Sequence, residues 1–454
     1  MSTINSKLPS EDIKKLCDEI RKYNHIDPSE FDHFSIKRGL RNPDGTGVMA
    51  GITRVCSVEG YYLDDGEKVP REGHLKFRGI DMEEIVNACI AENRFGFEEV
   101  AWLLIFGSLP TSQELDFFKN VLSRHRELPD DFIEDMIMKA PSPDIMNKLA
   151  RSVLSLYSYD PNPDDTSIEN VLRQCISIIA QVPAIMSYAY QVKRRHYYKQ
   201  SMHIHPIIPE HTTAQAILHS IRDDGKFTDE EAKLLDVCLM VHAEHGGGNN
   251  STFATRVITS SGTDSYAAIS AGINSLKGPK HGGANSKVAH MVDCFKQGIC
   301  DITDENQVKD FIAKIIRKEA GDGSGLVYGM GHAVYTLSDP RAKILRSKAE
   351  SFVDGTGYEN EFRLLNLIEK LTPEVFAEVK GSNKAMCANV DLYSGLIYKM
   401  LNIPSDLYTP LFTAARVTGW TAHRIEELLT GGRIIRPAYK SNTVKTNYTP
   451  ITKR

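Results

Sequence analysis

The sequence predicts an all-α, multihelical protein with one minor β-hairpin near its N-terminus. Three features predict it. Apolar residues recur at helical spacing along most of the chain. Glycine-rich junctions separate these stretches in the second half. Alternation with β-branched and aromatic residues is confined to residues 55–70.

Amphipathic helices are expected over 11–24, 81–93, 97–107, 112–126, 143–157, 167–195, 211–222 and 228–244. They continue over 264–277, 284–297, 305–319, 342–353, 360–371, 390–401 and 409–429. The stretch from Tyr393 shows why: Tyr393, Leu396, Ile397, Met400 and Leu401 line one helical face. The hairpin reads as Val55 to Val58 and Tyr61 to Leu63, the turn Asp64-Asp65-Gly66, then Lys68-Val69. No internal repeat, low-complexity tract or long linker interrupts the pattern.

A chain of 454 residues, 41% hydrophobic and 25% charged, can bury a sizeable core. Its net charge of −5 argues against a broad nucleic-acid footprint. No apolar run approaches the roughly 18 residues of a spanning helix. The first fifteen residues hold no apolar export core and carry Glu11 and Asp12, so a cytoplasmic address is expected. Eight cysteines with no CxxC pair read as scattered reduced thiols.

Chemistry concentrates after residue 245, where three of four glycine clusters touch a histidine. His281 stands just before a predicted helix, where the dipole favours a neutral imidazole able to donate to a developing oxyanion. A polar cap or loop contact is the other reading, and position alone favours it. His332 ends Gly325-Leu326-Val327-Tyr328-Gly329-Met330-Gly331, either a backbone cradle for a ligand or a simple turn. Arg341 follows Ser338-Asp339-Pro340, a helix start with Ser338 as the cap. A cation there opposes the dipole, and it needs an anion, which Asp339 or a ligand can supply. Arg416 falls on the apolar stripe between Phe412 and Trp420, so its guanidinium serves an internal ion pair or a bound anion. Arg436 lies extended after Gly431-Gly432 and can reach a neighbouring subunit. Asp391 is either a helix N-cap or a general base. His242 and His245, three apart on a helix, can hold a metal, but the HExxH order is absent and no metal is expected. Histidines, arginines and one carboxylate together suit a small polycarboxylate and proton abstraction beside a carbonyl.

These segments resemble the citrate synthase family (citrate synthase and 2-methylcitrate synthase). HAEHGGGN (242–249), GPKHGGAN (278–285), YGMGHAVYTLSDPR (328–341), NVDLYSG (389–395), AARVTGW (414–420) and RPAYKS (436–441) carry the resemblance, with FRGID (77–81) a weaker match. It covers roughly residues 50–441. It implies that Asp391 takes a proton from acetyl-CoA, His281 hydrogen-bonds the enol, and His332 polarises the keto group of oxaloacetate. His245, Arg341 and Arg416 would hold oxaloacetate, with Arg436 reaching in from the other subunit. Leu326, Val327, Tyr328, Gly329, Met330, Gly331 and Asn389 would lie along coenzyme A, a substrate; no further cofactor is implied. The family fold implies a homodimer. Its large domain would span 1–283 and 396–454, with an N-terminal extension over 1–50. A small domain over 284–395 would close over the site. Thr336 departs from the family, which often places a basic residue there for a CoA phosphate; Lys343, Lys287 or a residue from elsewhere would be the substitute. A metal-dependent hydrolase built on His242, His245 and His281 is the rival of another class.

Overall fold

The computed structural model describes residues 10–382 and 385–454. Residues 1–9, part of the fifteen from which the N-terminal address was read, lie outside it. Contacts divide the chain into two units, one ending at Gly51 and one running from Ile52 to Arg454. The first unit holds α1 (Ser10–Tyr23) and α2 (Pro28–His33). Asp27 caps α2 and exchanges a capping box with Glu30, one residue before Pro28 at the first helical position.

The second unit opens with a three-stranded antiparallel sheet: β1 (Cys56–Asp64), β2 (Glu67–Phe77) and β3 (Ile80–Asp81). The expected turn is there, with Asp65 at φ 47° and Gly66 at φ 85°, the left-handed pair that tight hairpins need. The strands run much longer than Lys68-Val69 suggested. Pairing continues to Cys56 opposite Phe77, with a bulge between Glu59 and Tyr61, and Leu75 and Phe77 are fully buried.

Fifteen helices follow among the described residues. They are α3 (Met82–Ala91), α4 (Phe97–Phe106), α5 (Ser112–Arg124), α6 (Ile145–Ser155), α7 (Ile168–Lys193), α8 (Thr213–Ile221), α9 (Asp229–His242) and α10 (Asn250–Thr259). Then come α11 (Ser265–Lys277), α12 (Ala284–Gly298), α13 (Glu305–Ile316), α14 (Pro340–Phe352), α15 (Glu359–Lys380), α16 (Asp391–Met400) and α17 (Tyr408–Leu429). Threonine capping boxes start α5, α8 and α9, pairing Thr111 with Glu114, Thr212 with Gln215 and Thr228 with Glu231.

Three helices depart from expectation, the first being α2, six residues that no periodic stretch announced. The segment forming α10 reads as loop because Asn, Ser and Thr favour turns. It is helical because it packs between α11 and α17 with Ser251, Thr252 and Thr255 fully buried. The helix expected to stop at 371 runs on through Pro373 to Lys380. Proline costs ~3 kcal/mol in a helix interior. Burial of Ile368, Leu371 and Val375 along this helix, which packs on α13, offsets it.

The core centres on α17, whose residues from Pro410 to Ile425 are all buried. It packs on α4, α7, α9, α10 and α11. Trp420 is fully enclosed, a burial worth about 3–5 kcal/mol against alanine. Charged residues on this helix must find partners inside the protein. Arg424 donates to Ser265 Oγ at 3.0 Å and Thr263 O at 2.8 Å. Arg416 is the exception described below.

One apolar-run expectation is corrected. The span Ile168–Tyr198 is long and apolar enough to cross a membrane, but 78% of its most apolar stretch is buried inside the protein. Gln174, Ser187 and Gln191 interrupt the run in sequence, and all three are buried against the protein.

Candidate active site

The site forms where α9, the loop before α14, the start of α16 and the middle of α17 converge. Helix α9 ends at His242, so His245 lies in the turn beyond it, not on the helix as its spacing suggested. Gly246 makes that turn at φ 87°. His242 Nδ1 is 2.7 Å from Cys238 O, and burial pulls its pKa down to about 3. It is a neutral helix-end residue. His245 is buried, with Nε2 at 3.3 Å from the Tyr335 hydroxyl. Burial, then the charge of Arg341, holds its pKa well below the usual histidine range.

The glycine-rich loop delivers His332. Gly325, Gly329 and Gly331 have φ of 80°, 83° and 85°. At Gly329 a side chain is doubly excluded, since a Cβ would sit 2.8 Å from Leu392 Cδ1 on α16. The N–H groups of Val334 and Tyr335 donate to His332 Nδ1 at 3.0 and 3.1 Å. This network assigns the ring proton to Nε2, making His332 a donor toward a ligand. Its ring lies 5.1 Å from His245 and 4.7 Å from Tyr335.

Asp339 caps α14, not Ser338: its carboxylate accepts from Arg341 N at 3.0 Å. The Ser338 hydroxyl is taken up by Glu72 and by the N–H of Gly73. Arg341 is buried and pairs with Asp339 through Nε at 3.0 Å and Nη2 at 2.7 Å. That internal ion pair is one of the two readings left open by the sequence.

Arg416 resolves differently. It is fully buried, and its Nε donates to His242 O at 2.7 Å. Its Nη1 and Nη2 are buried and have no hydrogen-bond partner. Burial lowers its pKa to about 10, although Glu244 opposes the fall. A buried guanidinium with two such donors suits an anion able to accept from both.

Asp391 is the first residue of α16, after Val390 in the cap position, so it does not cap the helix. Its N–H donates to Asn389 Oδ1 at 3.0 Å. Among the described residues no hydrogen bond reaches its carboxylate. Burial raises its pKa to about 6, against the pull of Arg341 and Arg416. Asn389 ties the arrangement together: its Nδ2 donates to Gly331 O at 2.9 Å, bridging the Asp391 turn and the His332 loop. His281 precedes α12 and meets Ser251 Oγ at 3.0 Å. Burial, then Arg416, pulls it down to about 4, so packing as well as helix position keeps it neutral.

The structure thus brings His245, His281, His332, Arg341, Asp391 and Arg416 into one cluster, linked electrostatically through Arg341 and Arg416. Arg436 does not join them in this chain. It is exposed on the extended segment after α17. Of the loop residues, Val327 is buried, Leu326 exposed, and the Tyr328 hydroxyl bonds Asp322 at 2.6 Å. Met330 bridges Ala388 in an antiparallel pair. Thr336 donates to Gly60 O on β1. Both expected basic substitutes are engaged, Lys343 with Glu72 at 2.7 Å and Lys287 with Asp322 at 3.0 Å.

Four neighbours escaped sequence reasoning. Tyr335 touches two site histidines, and Ser251 holds His281. Glu244 is fully buried, with His423 Nε2 at 2.9 Å from its Oε1. Gly419 on α17 makes the room, because a Cβ there would lie 2.0 Å from Glu244 Oε2. Their signal was proximity in the motifs: Glu244 adjoins His245, and Tyr335 follows His332 by three residues. For the rival reading, no group of three metal-ligating side chains occurs among the described residues, and His242 is turned to a backbone carbonyl.

Neutral imidazoles, buried arginines and a carboxylate near neutrality can bind a carbonyl dianion and move a proton beside it. Residues 44–438 match the family described as citrate synthase, C-terminal domain. The chain is 32% identical over 429 residues to the citrate synthase of Synechocystis sp. strain PCC 6803, covering 93% of this chain and 95% of that one. It is 31% identical over 428 residues to 2-methylcitrate synthase 1 of Corynebacterium glutamicum, covering 92% and 98%. Its structure is similar to that of Thermoplasma acidophilum citrate synthase in ternary complex with carboxymethyl coenzyme A and oxaloacetate. The TM-score is 0.73 at 26% identity, covering 92% of this chain and 99% of that one. For citrate synthase from Thermotoga maritima the TM-score is 0.70 at 28% identity, covering 90% and 98%. The chain belongs to the citrate synthase family and is an enzyme of its acyltransferase type.

Proposed function

We propose that the protein condenses acetyl-CoA with oxaloacetate and water, giving citrate and CoA. The observation that carries this reading is Arg416, whose two terminal nitrogens are buried without a partner beside neutral imidazoles. A dicarboxylate supplies the missing acceptors. Arg341 and His245 complete its grip, and Arg436 of a second subunit adds a further cation in a homodimer.

Asp391 removes a proton from the acetyl methyl group, and His281 donates a hydrogen bond to the enol oxygen. The Ser251 hydroxyl donates to Asn249 Oδ1 at 2.9 Å; for that role it turns to donate to His281 Nε2, leaving N–H on Nδ1. The enol carbon attacks the keto carbon while His332 Nε2–H stabilises the developing alkoxide. Water then cleaves the thioester. The loop 326–331 and Asn389 border coenzyme A. Residues 284–395 form a domain that closes over residues 1–283 and 396–454, excluding water. Its first boundary falls where α12 begins, and its second lies within α16. Eight free thiols suit a reducing, cytoplasmic address.

Acetyl-CoA and propionyl-CoA differ by one methylene, a discrimination worth about 1–3 kcal/mol. Steady-state assays with oxaloacetate are expected to give acetyl-CoA a kcat/KM about tenfold or more above propionyl-CoA. Propionyl-CoA in front would make 2-methylcitrate the product. No condensation with either would discard the reading.

The base also sets the pH dependence. Asp391 is active as the carboxylate, and its pKa stands at about 6. The acid limb of kcat/KM is therefore expected near pH 6, falling about tenfold per unit below it. His281, at about 4, stays neutral through that window. A plateau that persists down to pH 4.5 would remove Asp391 from the role.

A further inference from the structure

We propose that Tyr335 is a positioning residue for keto-acid binding, seated by the β-hairpin and acting through His245. This rests on the assignment of His245, His332 and Arg341 to the keto acid. Tyr335 is 2% exposed, and three of those side chains surround it. Its hydroxyl meets His245 Nε2 at 3.3 Å. Its ring lies 4.7 Å from the His332 ring, inclined at 31°, and 5.7 Å from the Arg341 guanidinium carbon.

The hydroxyl selects the His245 tautomer. Burial keeps the phenol protonated and the imidazole neutral. If the phenol donates to Nε2, the ring proton sits on Nδ1 and faces a ligand as a donor. The opposite arrangement presents a lone pair to a dianion, which is repulsive. Ligand charge therefore favours the first, and without Tyr335 nothing holds it.

The hairpin supplies the seat. A Cβ at Gly60 would fall 2.6 Å from Tyr335 Cα, and one at Gly73 would fall 2.7 Å from Tyr335 Cδ1. Thr336 donates to Gly60 O, and Gly73 N donates to Ser338 Oγ at 3.1 Å. Strands β1 and β2 thus clamp the segment on both sides of Tyr335. This also accounts for Thr336: its position faces hairpin carbonyls, where a short hydroxyl fits.

The test is a double-mutant cycle of Tyr335→Phe and His245→Ala, reading KM and kcat for both substrates. Tyr335→Phe is expected to raise the oxaloacetate KM about tenfold, with kcat changed less than threefold and the acetyl-CoA KM unchanged. In the His245→Ala background the same change is expected to matter less than twofold. Equal effects in both backgrounds, or none in the wild type, would overturn the proposal. If His245→Ala itself leaves the oxaloacetate KM unaltered, the site assignment fails with it. Should Tyr335→Phe not fold, Thr336→Val tests the seat: a severalfold rise confined to the oxaloacetate KM supports it, and no rise refutes it.

Discussion

Asp391→Asn is expected to lower kcat by two to four orders of magnitude while leaving oxaloacetate binding within about threefold. The amide keeps the shape and the backbone bond from residue 391 to Asn389 Oδ1. It removes the proton acceptor. No hydrogen bond is lost, because none from a described residue reaches the carboxylate; only the attraction of Arg341 and Arg416 goes with the charge. Stability carries a second signature. The Asp391 pKa rises from 3.8 to about 6 on folding, so the folded state binds the proton more tightly. That contribution is fully present below pH 3.8 and is lost as pH rises through about 6. The wild type should thus lose stability over this window relative to Asp391→Asn, and the variant should melt no lower at pH 7. Near-normal turnover in the variant would refute the base assignment.

Arg416→Met is expected to raise the oxaloacetate KM by two to three orders of magnitude. Removing one partner of a buried charge pair costs about 3–5 kcal/mol, because the other charge is left unpaired. Arg416→Lys should recover little, since an ammonium lacks the planar fork that meets a carboxylate with two bonds. Thermal melting gives an independent readout. Oxaloacetate at about 100 times its Kd stabilises the wild type by roughly 2.7 kcal/mol, a shift of a few degrees. The shift should vanish in Arg416→Met. A KM within threefold of wild type would show that the guanidinium serves packing alone.

The two residues illustrate what was legible in the sequence. Their positions were, because each sits in a short motif flanked by glycine or by an apolar stripe. Their states were not. Asp391 had a capping explanation until Val390 proved to occupy the cap. Arg416 and Arg341 had the same two explanations, an ion pair or a ligand. The structure gives Arg341 its Asp339 partner and leaves the Arg416 terminal nitrogens without one. Tyr335 and Glu244 were missed because their partners lie 90 and 179 residues away, at His245 and His423. Ser251 was missed with its helix, whose composition favours a turn.

The sequence by itself determined the helical class, most helix positions, the hairpin turn and the motifs that hold the proposed reacting groups. Periodicity, capping and turn chemistry are local, acting over a few residues, so they can be read along the chain. Tertiary structure alone decided the helix through Pro373, the use of the hairpin as a seat for Tyr335, and the protonation of the site. Burial and the fields of distant charges set those outcomes, and both arise only when far-apart segments pack together.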